Sequence, residues 1–265
     1  MPAAYAHYKF GNDVLERLNN TVSEPIRKHM DLYLIGLHGP DILFYFKPYK
    51  KNAVSELGHE THRRPGFSFF QHAAEAVAAH EKQGGYLAYA YGVICHFALD
   101  VTCHGYIDEV IQKTGIGHIE LESEFDRALM VSDGFEPLTH CVTGHLKPTD
   151  ANAQVIHAFY ESISAEDIRK AIQSMIFYLN FLTTDSRMKR GLIRTFFKLS
   201  GHNRELRGLL ISRKKNPACE ECTLHLAQLY DQALPLAARL IQEFAPAVWD
   251  EQPFDDRYQL NFNGV

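Results

Sequence analysis

Residues 85–107 read GYLAYAYGVICHFALDVTCHGYI, an apolar run interrupted by His96, Asp100 and His104. The run predicts one long buried helix over these residues. Steps of four place the three ionisable side chains on one stripe of that helix. A buried stripe of this kind is destabilising unless something compensates it, and a cation is the natural compensator. Because Asp100 lies between the two histidines, its two oxygens can serve two metal ions.

Helical periodicity extends over most of the remaining chain. Spacings of three and four recur, and no Asn-Gly turn joins alternating apolar runs. We therefore predict an all-α protein, with one multi-helix domain over residues 1–248 and an irregular tail over 249–265. Other predicted helices cover residues 12–20, 31–37, 66–83, 118–130, 168–182 and 219–244, with basic helices between the last two.

The composition bounds the class of protein. A chain of 265 residues with 46% hydrophobic residues can bury a substantial core. The start of the chain lacks the pattern of a cleavable signal, and the most apolar stretch, residues 86–101, is too short and too polar to span a bilayer. Five cysteines argue against a disulfide framework. These features predict a soluble, cytoplasmic protein.

Candidate metal ligands also occur outside the central helix. His118 and Glu122, again four residues apart, open the next predicted helix and can complete a site with His104. The remaining candidates are His7, Asp41 after the Gly39-Pro40 turn, and His59 or His62. Nitrogen and oxygen ligands of this kind suit zinc. Each candidate ligand taken alone has an ordinary structural explanation, such as a hydrogen-bonded core histidine or a tight turn. Together, however, the candidates outnumber the four ligands of one tetrahedral ion, and they therefore predict a metal cluster.

Four short motifs resemble the zinc-dependent phospholipase C family, which includes relatives of the fungal single-strand nucleases and the amino-terminal domain of glycosylphosphatidylinositol phospholipase D. In the family's order, they are His7-Tyr-Lys-Phe-Gly11, Gly36-Leu-His-Gly-Pro-Asp41, residues 96–104 and His118-Ile-Glu-Leu-Glu122. The resemblance implies an all-α fold of the phospholipase C and single-strand nuclease type. It also implies a buried cluster of two or three zinc ions per chain.

The same resemblance implies how the ligands are shared. The first zinc would be held by Asp41, His62 in preference to His59, His96 and Asp100. The second would be held by His104, His118 and Glu122. His7 would contribute to a third ion, bridged to the first by Asp100. In family members of known mechanism, the aspartate that matches Asp41 is a ligand and accepts a proton from the attacking water.

The chain departs from the secreted members of the family in two places. Those enzymes bind the third zinc through an amino-terminal tryptophan, whereas here six residues precede His7 and no tryptophan is near it. Three residues separate Asp100 from His104, where the secreted bacterial phospholipases have five. The chain is therefore more similar to the intracellular and glycosylphosphatidylinositol-type branch, and the occupancy of the third zinc site is left open.

The predicted function is hydrolysis of phospholipids, or of related phosphodiesters, by a metal-activated water, with Asp41 as the catalytic residue. One alternative is a zinc-dependent single-strand nuclease that stacks bases on aromatic side chains. Another is a non-catalytic metalloprotein in which the ions tie helices together.

Three further segments have both a structural and a functional interpretation. Arg187–Lys215 contains ten Lys or Arg and one acid, which suits a solvated helix face or contact with an anionic membrane. Ile42–Tyr49, directly after Asp41, is either core or the lining of a substrate pocket. Cys219 and Cys222 form only half of a zinc motif, so we interpret their spacing as incidental.

Overall fold

The computed structural model describes residues 4–80, 83–201, 206–250 and 252–265. Within these ranges the regular structure is helical, and the only β pairing is an isolated bridge between Pro65 and Asn261. The all-α prediction is confirmed. The α-helices are α1 Ala4–Leu15, α2 Asn20–Lys28, α3 Met30–Gly36, α4 Ala53–Arg63, α5 Gly66–Ala79, α6 Gly84–Thr114, α7 His118–Ser132, α8 Asp150–His157, α9 Ala165–Leu182, α10 Arg187–Leu199 and α11 Glu220–Trp249. Short 3-10 helices span Gly39–Tyr45, Arg207–Leu209, Pro217–Cys219 and Asp256–Gln259.

Helix α6 is the central element of the core. It packs against α1, α2, α3, α5 and α11, and Tyr89, Val93 and Phe97 on it are fully buried. The helix extends beyond the predicted residues 85–107 to Thr114, where Gly115 at φ 71° provides a left-handed C-cap. By length and composition alone α6 could cross a membrane. However, 83% of its most apolar window is buried inside the fold, as expected for a core helix.

Helix α3 crosses α6 at a contact between two glycines. A Cβ atom on Gly92 would lie 2.3 Å from the carbonyl oxygen of Tyr33 and 2.8 Å from the Cα of Gly36. Only glycine allows backbones to approach this closely. The buried hydroxyl of Tyr33 donates a hydrogen bond to the carbonyl of Gly11 at 2.7 Å, which ties α1 to the same junction. The crossing places the segment after α3 beside the ligand stripe of α6.

The prediction of a helix over residues 12–20 is wrong in its bounds. Helix α1 ends at Leu15, and α2 begins at Asn20, capped by the side chain of Asn19, which accepts from the N–H of Val22 at 3.0 Å. Asparagine favours this capping position over a helix interior. Ser164 caps α9, since its hydroxyl accepts from the N–H of Asp167 at 3.1 Å.

The segment after α11 packs back onto the helical core. Tyr258 and Phe262 are buried, with 1% and 0% exposure. The side-chain amide of Asn263 donates to the backbone carbonyl of His62 at 3.4 Å. The segment is irregular apart from the 3-10 turn Asp256–Gln259, and it contributes aromatic side chains to the region that holds the candidate ligands.

Candidate metal centre

The fold gathers the eight predicted ligands from five segments that are distant along the chain. Seven of them are buried, and His118 is partly exposed. Within the described residues, their ligand atoms form three groups, each with all atoms within 4.8 Å of one another. The groups are His7, His96 and Asp100; Asp41, His62 and His96; and His104, His118 and Glu122.

Asp100 lies between these groups and faces a different set of imidazoles with each oxygen. Its Oδ2 is 3.1 Å from Nε2 of His96 and 4.0 Å from Nε2 of His62. Its Oδ1 is 3.4 Å from Nε2 of His7 and 3.5 Å from Nε2 of His104. This is the geometry of a carboxylate placed to bridge two cation sites.

Backbone carbonyls fix the tautomers of His62 and His96. Nδ1 of His62 lies 2.8 Å from the carbonyl oxygen of Gly58, and Nδ1 of His96 lies 3.1 Å from that of Leu37. A carbonyl oxygen only accepts, so both Nδ1 atoms carry protons and donate them. Both Nε2 atoms therefore present lone pairs to the centre, which is the arrangement that metal-binding histidines adopt.

Five buried atoms of the candidate ligands lack hydrogen-bond partners among the described residues. These orphaned buried atoms are Nδ1 of His7, Oδ1 of Asp41, Nε2 of His62, Nε2 of His96 and Oε2 of Glu122. Nε2 of His62 lies 3.0 Å from Oδ1 of Asp41 without forming a hydrogen bond. Buried polar atoms are almost always satisfied. Converging nitrogen and oxygen atoms without partners therefore fit bound cations, and the donor set suits zinc.

The second group lies at the junction of α6 and α7. Nε2 of His118 is 3.0 Å from Oε1 of Glu122, one helical turn away on α7. The ring of His104 lies 5.2 Å from that of His118. Because the other oxygen of Glu122 is buried without a partner, this carboxylate can reach a cation shared with both imidazoles.

His7 is held in place by a residue that the sequence analysis missed. The buried carboxylate of Asp126 on α7 accepts hydrogen bonds from the backbone N–H groups of Tyr5 at 3.1 Å and Ala6 at 2.8 Å. These groups belong to the first turn of α1, whose N–H groups have no partner within the helix, and burial raises the pKa of Asp126 well above its usual range. The imidazole of His7 stacks on that of His96 with ring centroids 4.2 Å apart. Asp126 is four residues beyond Glu122, and that spacing is the only sequence signal for it.

The histidines and carboxylates of the centre shift one another's pKa values. Burial raises the pKa of Asp100, but the nearby imidazoles of His96 and His104 outweigh burial and hold it well below its usual range. Burial lowers the pKa of His104, but Asp100 outweighs this effect and raises it to about 9. Burial also raises the pKa of Asp41, and the neighbouring His62 and His96 bring it below its usual range. The carboxylates are therefore ionised at neutral pH.

Two more histidines lie beside the centre without belonging to the ligand groups. Nε2 of the buried His38 is 2.8 Å from Nε2 of His145, so one nitrogen donates to the other. The ring of His145 also stacks on Tyr8 at 4.4 Å. Burial lowers the pKa of His145 to about 4, which keeps its imidazole neutral at physiological pH. His145 lies outside the motifs that contain the candidate ligands. The sequence therefore gave no signal that His38 and His145 would pair.

Residues Gly58–His62 and the run Ile42–Tyr49 meet beside Asp41. Helix α4 turns His62 inward and leaves His59 exposed, with its ring 4.5 Å from that of Phe44. The Phe44 ring also lies 5.2 Å from His62. Ile42, Leu43, Tyr45 and Phe46 of the run belong to the core, whereas Lys47, Pro48 and Tyr49 are exposed, Tyr49 to 81%. Phe44 is thus the member of the run that borders the candidate centre.

Cys219 and Cys222 do not join any ligand group among the described residues. Both side chains are buried. Cys95 and Cys103 on α6 are likewise buried and pack as small apolar side chains.

The helical fold and the converging donor atoms define an all-α protein with a buried candidate metal centre. The sequence profile of a family described as zinc dependent phospholipase C matches residues 6–180, which is more than half of the chain. The chain belongs to the zinc-dependent phospholipase C family, and the match includes all eight candidate ligands. No curated protein and no solved structure matches the chain. Family membership indicates metal-dependent hydrolysis of phosphodiesters, with zinc as the metal.

Proposed function

We propose that this protein is a phospholipase C that hydrolyses the phosphodiester bond of phospholipids. The observation that carries the proposal is the position of Asp100, whose two oxygens face separate groups of imidazoles inside a buried centre. A purely structural zinc site is usually closed by four ligands around one ion. Eight converging candidate ligands, with the carboxylate of Asp100 between the others, instead suit the paired ions of phosphodiesterases.

The chain's side chains have distinct roles in this proposal. Zinc ions held by His7, Asp41, His62, His96, Asp100, His104, His118 and Glu122 would acidify a water molecule and neutralise charge on the phosphoryl oxygens. His62 and His96 present fixed lone pairs because their Nδ1 protons are donated to backbone carbonyls. Asp100 holds the two halves of the centre together.

Asp41 is the proposed proton acceptor for the attacking water. It lies in the 3-10 helix Gly39–Tyr45, and its Oδ1 has no hydrogen-bond partner among the described residues. The pKa of Asp41 lies below its usual range, so the carboxylate is ionised at neutral pH and can accept a hydrogen bond that orients the water. The neighbouring Ile42 and Leu43 are fully buried and keep bulk water from this side of the centre.

The test compares three substrates with the zinc-loaded protein: a chromogenic phosphocholine ester, phosphatidylcholine in mixed micelles, and a single-stranded oligonucleotide. We expect hydrolysis of the ester and the lipid. Asp41→Asn should lose most of this activity, whereas the exposed Asp31→Asn, as a matched control, should keep it. Hydrolysis of the oligonucleotide alone would instead assign a nuclease. No hydrolysis by a fully zinc-loaded protein would assign a structural role to the ions.

A further inference from the structure

Helix α10 has two apolar faces, and within the described part of the chain one of them is packed against the protein and the other is exposed. Ile193 and Phe197 are buried, whereas Met188, Leu192, Phe196 and Leu199 are 78%, 67%, 68% and 82% exposed. These four residues follow one another at steps of four, four and three, so they form one stripe along the helix. Single exposed apolar side chains are ordinary, but a contiguous apolar stripe marks an interaction surface.

The opposite face of α10 contacts the protein through Arg190 and a small apolar cluster. The buried Arg190 donates from Nη1 to the carbonyl of Thr184 at 3.0 Å and from Nη2 to that of Ile211 at 2.6 Å. Ile193 and Phe197 form a small apolar cluster with Leu210.

Helix α9 extends this apolar area. Phe177 and Phe181 are 61% and 45% exposed, and their rings stack with centroids 6.1 Å apart. Nζ of Lys189 on α10 lies 4.7 Å above the ring of Phe181, which joins the two helices. We call the six exposed side chains the α9–α10 surface: Phe177, Phe181, Met188, Leu192, Phe196 and Leu199.

The helix that carries the apolar stripe is rich in cations. The sequence of α10, RMKRGLIRTFFKL, contains five Lys or Arg and no acid, although the whole chain has a net charge of -5. Arg187 and Lys189 flank Met188 at the start of the exposed apolar stripe, and Lys189 also lies over Phe181, whereas Arg194 and Lys198 line a neighbouring groove with Glu120 and Glu124. Apolar side chains enter the boundary between headgroups and acyl chains, and Lys and Arg are attracted to anionic lipids. An apolar protein surface would match the stripe but not the cations. A nucleic acid would match the cations but not the stripe.

We propose that the α9–α10 surface docks the protein on anionic phospholipid membranes. The proposal rests on the proposed function for the identity of the substrate, which would then be taken from the same membrane. A groove of about 340 Å³ supports this connection, because Phe177 on α9 shares its lining with Phe46 and Lys47. Phe46 directly follows the 3-10 helix that carries Asp41.

The experiment measures sedimentation of the zinc-loaded protein with phosphatidylcholine vesicles, with and without phosphatidylserine. We expect binding to the vesicles that contain phosphatidylserine, and weaker binding at high salt. The double variant Leu192→Glu/Phe196→Glu should bind these vesicles at least tenfold more weakly. Leu224→Glu is the matched control, because Leu224 is 65% exposed on α11, away from this surface. It should bind like the unchanged protein. Melting curves of all variants should coincide, because the substituted side chains are exposed.

Unchanged vesicle binding by the double variant would overturn the proposal. So would a concentration-dependent dimer that the double variant abolishes without any vesicle binding, which would assign the surface to a second copy of the chain. Hydrolysis of the water-soluble phosphocholine ester separates this proposal from the proposed function. If the vesicles are bound as expected but the ester and the lipids are not hydrolysed, the docking stands and the proposed function fails.

Discussion

The ring of Phe262 lies 5.2 Å from the imidazole of His62, centroid to centroid. It also lies 5.9 Å from the imidazole of His96. Phe262 is completely buried and lies outside residues 6–180, the part of the chain that matches the family. A side chain from outside that match therefore supports two candidate ligands of the centre.

We expect Phe262→Leu to weaken zinc binding about 10- to 100-fold, as loss of support behind metal ligands typically does. The free energy of unfolding should fall by roughly 1–3 kcal/mol. Zinc titration and thermal melts measure the two effects. Phe244→Leu is the matched control, since Phe244 is 1% exposed and packs against Phe70 and Tyr91. It should lower stability but leave zinc affinity unchanged. Equal zinc affinity in the two variants would show that Phe262 does not support the ligands.

Asp100→Asn tests the bridging carboxylate. The amide keeps the shape of the side chain but removes the charge that faces both groups of imidazoles. We expect the loss of at least one zinc per chain and a decrease in phosphodiesterase activity of more than about 100-fold, the upper range for residues that only support ligands. Metal analysis and ester hydrolysis measure these effects, with the exposed Asp231→Asn as control. Full zinc content and full activity in Asp100→Asn would show that Asp100 does not bridge.

Gly39→Ala tests the turn that positions Asp41 in the candidate centre. Gly39 has φ +46°, and a Cβ atom there would lie 2.7 Å from Cδ2 of His96. Alanine is strained in this backbone region and would displace the imidazole. We expect a loss of roughly 1–3 kcal/mol in stability and weaker zinc binding, measured by melts and zinc titration. Gly191→Ala, in an open part of α10 with nothing within 4 Å of its Cβ position, should be neutral or stabilise by up to about 1 kcal/mol. Similar behaviour of the two variants would contradict the strain at Gly39.

Removal of zinc should make stability depend on pH. In the zinc-free protein, Asp100 raises the pKa of His104 from 6.5 to about 9 despite the opposing effect of burial. A raised histidine pKa stabilises the fold fully below pH 6.5, and that stabilisation is lost as the pH rises through about 9. We therefore expect the melting temperature of chelator-treated protein to fall across this window. His104→Gln should weaken that dependence.

Zinc binding should also release protons, because only the neutral imidazole is a ligand. Titration calorimetry at neutral pH in buffers of different ionisation enthalpy measures the number of protons released. We expect a smaller release in His104→Gln. Zinc binding without any proton release would show that His104 is neutral before the metal binds.

Local patterns predicted much of the fold and of the candidate site. The apolar run around His96 predicted the central helix, because a segment that is apolar on every side can only be stable in a core. The spacing of four that joins His118 to Glu122 predicted their shared helix face, and the structure brings both next to His104. The start of α1 was missed because its N-terminal turn is stabilised by Asp126, more than a hundred residues away. The role of the eight side chains as zinc ligands and the cytoplasmic location stay predictions.

The sequence by itself determined the helical class, the central helix and the residue types that suit zinc, because helical periodicity and ligand chemistry are local properties. Only the tertiary structure decided that His62 rather than His59 faces Asp41, that Phe262 packs behind the ligands, and that α10 exposes an apolar stripe. Each of these depends on which face of a helix another segment covers. That choice is made by packing between segments distant in the chain, so no local pattern contains it.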